Sequence, residues 1–204
     1  MIQQLLEFDD RLFVLINQTW AYESLDSLMI ILSSSRTFVP FYIWAIYKLI
    51  QRYKRKFYIP VLLAVVAFGL ADSISSRVFK PNFKRVRPAF EAHLTPRTPD
   101  GMPGGKYGFV SSHSANAFAV YPLLVMMVFY RKDLRFSQNK NQKMAFATAL
   151  FVAFWIAYSR VYLGRHYVGD VFFGGILGAA IGHLLWKAYA KFALEKALLT
   201  DELM

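Results

Sequence analysis

Three short groups of residues combine permanent cations with histidine and hydroxyl side chains. In chain order they are Lys80, six residues, Arg87-Pro88; Val110-Ser111-Ser112-His113-Ser114; and Ser159-Arg160, five residues, His166, three residues, Asp170. Guanidinium and ammonium groups bind the oxygens of phosphate-like anions, and an imidazole can act as a nucleophile or a proton donor. Together the three groups predict an anion-binding pocket that contains a nucleophile.

The anion would be held by Lys80, Arg87 and Arg160, which can place three positive charges near one point. Ser111 adds a hydroxyl group, and a helix that starts there adds free backbone N–H groups and the positive end of its dipole. Pro88 fixes the backbone next to Arg87 and so helps to hold that side chain in place.

His166 and Asp170 are four residues apart, so on a helix they lie on one face. The carboxylate can accept a hydrogen bond from one ring nitrogen of His166 and leave the other nitrogen free to attack phosphorus. His113 would protonate the leaving oxygen and then activate water against the phosphohistidine. The three cations would stabilise the charge on five-coordinate phosphorus.

Long apolar segments must position these groups. Of the 204 residues, 56% are hydrophobic and only 18% are charged, which is too apolar for an ordinary soluble domain. A membrane helix needs about 20 residues, and five segments qualify: residues 25–50, interrupted at 33–36, and residues 57–79, 111–130, 144–158 and 168–190. We therefore predict an all-α, polytopic membrane bundle that forms one domain over residues 1–204, with its helical core at residues 25–190.

Residues 1–22 predict an amphipathic helix of a different kind. Apolar residues alternate there with acidic ones at helical spacing. Such a helix lies in the membrane interface, with Trp20 and Tyr22 at headgroup level, or packs beside the bundle as a sixth helix. The interfacial position is slightly favoured.

The distribution of charge predicts which end of the bundle faces outward. Two basic segments should face the cytoplasm: Lys48, Arg52, Lys54, Arg55 and Lys56, then Arg131, Lys132, Arg135, Lys140 and Lys143 with only Asp133 against them. The acidic segment around Asp9, Asp10 and Glu23 should lie outside, together with the loops at residues 80–110 and 160–167. The first of these loops carries six cations, which contradicts the charge rule unless they have another role: Lys80, Lys84, Arg85, Arg87, Arg97 and Lys106. The net charge of +11 lies in short runs between apolar segments, so we expect no nucleic-acid partner.

The three groups resemble the signature of the type 2 phosphatidic acid phosphatase (PAP2) superfamily. That signature is Lys, six residues, Arg-Pro; Pro-Ser-Gly-His; and Ser-Arg, five residues, His, three residues, Asp. The first and third motifs match in full, whereas Val110 and Ser112 replace the Pro and the Gly of the middle one. A Gly-to-Ser change matters if the backbone needs a positive φ at that position.

The resemblance implies a six-helix core and hydrolysis without a metal ion or another cofactor. It implies phosphate binding by Lys80, Arg87, Ser111, the Ser112 amide and Arg160, and catalysis by His166, His113 and Asp170. Small bacterial members of the family resemble this chain, which implies the inner membrane as its location and an active site on the periplasmic or exterior side. The implied substrate is a lipid phosphate in the bilayer, with undecaprenyl diphosphate first and lipid A, phosphatidylglycerophosphate or phosphatidic acid as alternatives; no obligatory protein partner is implied.

Two other functions compete with this interpretation. A vanadium-dependent haloperoxidase uses the same motifs, but those enzymes resemble soluble helical proteins. A lipid-binding or transport protein with a relic site would have no chemical reason to keep all of the motif residues. Two histidines remain outside the motifs: His93 in the outer loop, without an identifiable partner, and His183, which we expect to make a buried hydrogen bond between helices.

Overall fold

A computed structural model describes residues 2–129 and 140–201, with side chains described as far as residue 192. Its α-helices are α1 Ile2–Val14, α2 Glu23–Ser33, α3 Val39–Tyr53, α4 Tyr58–Ser73, α5 Lys80–Phe83, α6 Ser112–Phe129, α7 Lys140–Tyr162 and α8 Val168–Asp201. Short π or 3-10 turns join several of them, and the one β-bridge in the described part links Val86 and Tyr107. The predicted all-α membrane bundle is confirmed.

Within the described residues, four helical segments are long and apolar enough to cross a membrane: Tyr58–Phe83, Ser112–Phe129, Lys140–Tyr162 and Val168–Phe192. A fifth candidate span is broken. Glu23–Ser33 and Ser35–Lys56 meet at a bend of 64°, at the serine run where the sequence predicted an interruption. Ser34 is extended there, and the Thr37 hydroxyl donates to the Ile31 carbonyl at 2.6 Å. Side chains that bond to nearby backbone compete with helical hydrogen bonds, which explains why the bend forms at this point.

The helix ends differ from the sequence-based limits. The span predicted at 144–158 extends over Lys140–Tyr162, and the one predicted at 168–190 continues to Asp201. Hydropathy marks where a segment stops being apolar, but a helix continues into water through polar turns. Arg160 consequently lies within the last turn of α7 and is held rigidly.

Helix α6 is the centre of the bundle and packs tightly against α8. Gly174, Gly178 and Gly182 form one stripe on α8, and a Cβ atom at any of them would collide with the α6 backbone or its cap, at Ser111, Ala115 or Ala119. Small residues at this spacing let two helix backbones approach closely in a membrane. The contact fixes the N-terminal ends of α6 and α8 beside each other, where the Ser111 N–H donates to the Asp170 carbonyl at 3.0 Å.

Helix α4 continues through a π-helical turn, Ile74–Phe79, into α5. The hydroxyl groups of Ser75 and Ser76 both donate to the Asp72 carbonyl, at 2.9 and 2.6 Å. A π turn rotates the residues that follow it relative to a regular helix, and such turns often occur at functional sites. Here it precedes Lys80, which points towards α6.

The N-terminal helix packs on the end of the bundle where α6 and α8 begin. Phe13 is buried against Tyr167, with ring centroids 5.6 Å apart, whereas Ile2, Leu5 and Phe8 are exposed on α1. This arrangement agrees with an interfacial helix, which stays a prediction. The loops at residues 80–110 and 160–167 lie at the same end of the bundle as α1. The basic turn Lys54–Lys56 precedes α4 at the opposite end, and Arg131, Lys132, Asp133 and Arg135 lie outside the described residues.

Candidate active site

A cavity of about 430 Å³ opens at the end of the bundle where α6 and α8 begin, between α3, α4, α6 and α7. Among its lining residues are six that the sequence predicted for the site: Lys80, Arg87, Ser112, His113, Arg160 and His166. Residues from all three sequence groups therefore meet in one space. The other two predicted residues, Ser111 and Asp170, are fully buried behind this lining.

Asp170 holds His166 in the predicted way. The Nδ1 atom of His166 lies 3.3 Å from Asp170 Oδ2, and the Tyr167 N–H donates to the same oxygen at 3.2 Å. His166 belongs to the turn before α8 rather than to the helix itself, and it is 2% exposed. Because Asp170 occupies Nδ1, Nε2 is the nitrogen left for the cavity.

The second oxygen of Asp170 has a partner that the sequence reasoning missed. Arg85 Nη1 lies 3.1 Å from Asp170 Oδ1, and Arg85 Nη2 lies 2.8 Å from Asp9 Oδ2 on α1. Asp9 also accepts the Gly169 N–H at 2.9 Å. The sequence did offer one indication of this role, because Arg85 lies inside the first motif, two residues before Arg87.

The buried arginines are positioned by backbone and hydroxyl groups. Around the bridge of Val86 to Tyr107, the Arg87 N–H donates to the Lys106 carbonyl at 3.0 Å, and Arg87 Nε donates to the Tyr107 carbonyl at 3.2 Å. Arg160 Nη1 donates to the Ser33 hydroxyl at the bend of the first span. Both guanidinium groups are thereby fixed before any anion enters, which lowers the cost of binding one.

Four of the six cations in the loop at residues 80–110 have a role besides membrane topology. Lys80 and Arg87 line the cavity. Arg85 pairs with the two carboxylates described above, and Arg97 pairs with Asp26 at 2.9 Å. These four charges serve the site or the packing of the loop, so they carry no information about orientation.

Ser111 and Ser112 differ from their predicted contacts. The Ser111 hydroxyl is fully buried and accepts from the Ser114 N–H at 3.5 Å, which makes it the cap of α6 and not part of the cavity lining. The Ser112 hydroxyl lies 2.8 Å from Lys80 Nζ and 2.8 Å from the Ser75 hydroxyl. Ser112 is the first residue of α6 and has no positive φ, so serine fits this position without backbone strain.

Burial lowers the pKa of His166 well below its usual value, and the nearby charges of Arg87, Arg160 and Lys80 lower it further. The imidazole is therefore neutral at neutral pH, the form in which a ring nitrogen can attack phosphorus. His113 is more exposed, at the first turn of α6, and faces the same cavity.

The other two histidines lie outside the cavity lining. His93 has a partner after all, Asp10 on α1, at 3.2 Å. The buried hydrogen bond predicted for His183 is wrong, because this side chain is exposed on α8. Helix packing sets the rotation of α8 about its axis, and that rotation places His183 on the exposed face. The sequence of a long apolar helix does not reveal this rotation. In the described part of the chain, no three His, Asp or Glu side chains are grouped to hold a metal ion.

Comparisons with known proteins agree with this geometry. Residues 57–193 match the model of the PAP2 superfamily. The chain is 29% identical over 191 residues to the lipid A 4'-phosphatase of Porphyromonas gingivalis, which covers 92% of this chain and 75% of that protein. It is 38% identical over 124 residues to phosphatidylglycerophosphatase B of Bacillus subtilis, which covers 61% of this chain and 55% of that protein.

The fold is also shared with a solved structure. The crystal structure of a transmembrane PAP2-type phosphatidylglycerolphosphate phosphatase from Bacillus subtilis superposes with a TM-score of 0.66 at 27% identity, over 93% of this chain and 86% of that one. With the family match over most of the chain, the cation-lined cavity and the apolar spans, this likeness leads to one conclusion: the chain belongs to the PAP2 superfamily and is a multi-pass membrane phosphatase.

Proposed function

We propose that this lipid phosphatase hydrolyses its substrate at the outer leaflet through a phosphohistidine intermediate on His166. The observation that carries the proposal is the neutral His166 ring, held 3.3 Å from Asp170, in a cavity that also presents Lys80, Arg87 and Arg160. A buried nucleophile beside three cations suits phosphoryl transfer, in which positioning and charge stabilisation supply most of the catalysis.

The reaction proceeds in two steps. Nε2 of His166 attacks phosphorus, the bond to the leaving oxygen breaks, and His113 gives that oxygen a proton. Water then attacks the phosphohistidine, His113 takes a proton from the water, and inorganic phosphate leaves. Lys80, Arg87 and Arg160 stabilise the equatorial oxygens in both steps, without a metal ion or another cofactor.

An apolar groove supports a lipid as the substrate. This groove, of about 410 Å³, lies between α3, α6 and α7, and it shares Phe38 and Tyr121 with the catalytic cavity. Its other lining residues are apolar side chains such as Trp44 and Val125, with Thr148 as the one hydroxyl besides Tyr121. A phosphate held by the cations can therefore remain attached to an acyl or prenyl chain in the groove.

Undecaprenyl diphosphate is the first candidate substrate, because an outward site fits recycling of a polyprenyl carrier. Lipid A and phosphatidylglycerophosphate are supported by the activities after which the two similar phosphatases are named. We also propose the inner membrane of a bacterium as the location, with the cavity facing the periplasm or the exterior. The basic turn at Lys54–Lys56, at the opposite end of the bundle, supports this orientation.

The test is phosphate release by the purified protein in detergent with EDTA. Substrates are undecaprenyl diphosphate, phosphatidylglycerophosphate, phosphatidic acid and lipid A. His166→Ala is the catalytic variant, and His183→Ala, on the exposed face of α8, is the matched control. We expect turnover in EDTA, inhibition by vanadate, and loss of turnover only in His166→Ala.

Several results would contradict the proposal. If His166→Ala keeps wild-type turnover, His166 is not the nucleophile. Failure to hydrolyse any of the lipids, combined with phosphate binding, would favour the non-catalytic lipid-binding protein. Halide oxidation in the presence of vanadate would favour the haloperoxidase. The side of the membrane is tested separately, by cysteine labelling of an introduced Lys106→Cys from outside intact cells.

A further inference from the structure

Directly below the cations, the cavity is lined by polar side chains that the mechanism above does not use. Asp72 and Ser76 lie two turns and one turn before Lys80 on the continuous helix Tyr58–Phe83, and Asn116 lies one turn after Ser112 on α6. Farther along, the cavity becomes aromatic at Phe38 and Tyr121 and joins the apolar groove. The lining thus changes in order from cationic to polar to apolar.

The acceptor groups in this middle layer lack donors. Among the residues that the structure describes, no side chain or backbone N–H donates to the Asp72 carboxylate. The Asn116 Oδ1 atom is buried and likewise has no hydrogen-bond partner in the described part of the chain. The Asp72 side chain is half-buried and lines the cavity, so a donor can reach its carboxylate. A buried amide oxygen without a partner is costly. Such groups are retained where a ligand supplies the missing donors.

This inference rests on the proposed phosphohistidine hydrolysis, and it replaces undecaprenyl diphosphate as the first candidate substrate. We propose that Asp72 and Asn116 form a headgroup subsite that accepts hydrogen bonds from hydroxyl groups next to the phosphate that is cleaved. The Asn116 amide turns on binding, so that Oδ1 faces the cavity. The substrate class is then a phosphomonoester on an uncharged, hydroxyl-bearing unit, a glycerol or a sugar, attached to a lipid. The phosphate contacts the cations, the hydroxyl-bearing unit fills the polar layer, and the chains enter the apolar groove.

The same layer disfavours a diphosphate. The described cations that line the cavity are Lys80, Arg87 and Arg160, and all three belong to the site of the phosphate that is cleaved. A second phosphate, directly bonded to the first, would enter the layer that contains the Asp72 carboxylate. Two negative charges placed close together there repel each other strongly, because the surroundings are poor in water.

Asp72 could also act by supporting the charge of Lys80, and the experiment must distinguish this role from that of a hydroxyl acceptor. Asp72 lies two turns from Lys80, so its charge can also support that ammonium group. Loss of such support would weaken the binding of every phosphate equally. Loss of a hydroxyl acceptor would affect only substrates that carry the hydroxyl. The experiment therefore compares two substrates within each variant.

The matched substrates are phosphatidylglycerophosphate and its deoxy analogue, in which hydrogen replaces the free hydroxyl of the headgroup glycerol. We expect wild-type kcat/KM to be about tenfold higher for the hydroxyl-bearing lipid, as for a buried hydrogen bond to a charged group. In Asp72→Ala and in Asn116→Ala the ratio should fall to within about twofold, while turnover of the deoxy analogue is kept. Ser73→Ala, next to Asp72 but outside the cavity lining, should keep the wild-type ratio.

Two further substrates, undecaprenyl diphosphate and lipid A, extend the test. Asp72→Asn should raise kcat/KM for undecaprenyl diphosphate by about tenfold, because the repulsion is removed. Lipid A presents the phosphate on a sugar, so comparison with phosphatidylglycerophosphate identifies the preferred unit. The ratio of kcat/KM for two substrates of the same variant does not depend on how much of that variant is folded. If Asp72→Ala does not fold, Asp72→Asn and Asn116→Ala still test the inference.

Several outcomes would overturn the inference. One is a wild-type enzyme that does not distinguish the lipid from its deoxy analogue. Another is an equal loss of kcat/KM for the lipid and for its deoxy analogue in the variants. That result would show that Asp72 supports the charge of Lys80. A third is unchanged diphosphate turnover in Asp72→Asn. If wild-type enzyme releases phosphate from no lipid, the proposed function fails instead, which is a separate result.

Discussion

The guanidinium group of Arg85 contacts Asp170 at 3.1 Å and Asp9 at 2.8 Å through its two terminal nitrogens. Asp170 in turn holds Nδ1 of His166 at 3.3 Å. A chain of charged contacts therefore runs from the N-terminal helix to the nucleophile. The orientation of His166 depends on residues that themselves contact no substrate.

The first prediction concerns Arg85. Arg85→Gln removes the partner of Asp170 Oδ1, so the carboxylate and His166 lose their fixed orientation. We expect kcat to fall about 100-fold while KM changes little, because a group that acts only on the nucleophile affects the chemical step. Arg77→Gln, exposed before the same loop, is the control and should keep wild-type kcat. A rise in KM at constant kcat would instead place Arg85 in substrate binding.

The second prediction compares two neighbouring carboxylates on α1. Asp9 accepts from Arg85 and from the Gly169 N–H, whereas Asp10 contacts only the exposed His93 ring among the partners described. Asp9→Asn should lower kcat about tenfold and Asp10→Asn should leave it unchanged, since surface pairs contribute little. Phosphate release at saturating substrate measures both. Unchanged kcat in Asp9→Asn would show that the Asp9–Arg85 contact does not position the site.

The third prediction is a pH dependence. Burial and the surrounding cations lower the pKa of His166, so on acidification the folded protein keeps this ring neutral below the usual histidine range. The neutral nucleophile should persist as the pH falls from 7 through 6.5, and it should be lost only at the lowered pKa. The measurement is NMR titration of ¹³C-labelled histidine rings, with His166→Gln to assign the signal. Half-protonation near pH 6.5 would contradict the prediction.

The fourth prediction concerns the serine that replaces the family glycine. The Ser112 hydroxyl contacts Lys80 Nζ and the Ser75 hydroxyl, each at 2.8 Å. Ser112→Gly should leave Lys80 less ordered and raise the vanadate inhibition constant severalfold, as expected for loss of one hydrogen bond. Ser75→Ala keeps the Ser112 contact to Lys80 and should have a smaller effect. Tighter vanadate binding in Ser112→Gly would show that the serine competes with the anion for Lys80.

The sequence by itself predicted the apolar spans and which residues meet in the cavity. Apolar length fixes which segments cross a bilayer, and motif spacing brought Lys80, Arg87, His113, Arg160 and His166 into one prediction. These properties are local, so they can be read without knowing how the helices pack. The cation-lined cavity contains all five of these residues.

Only the tertiary structure decided which groups face the cavity and which support it from behind. Ser111 became a helix cap and Ser112 a cavity residue, although they are adjacent. Arg85 found its two carboxylates on α1 and α8, 76 positions before it and 85 positions after it in the chain. The physical reason is that contacts of this kind depend on the rotation and depth of each helix. Close packing across the glycine stripe of α8, together with the bend of the first span, sets both.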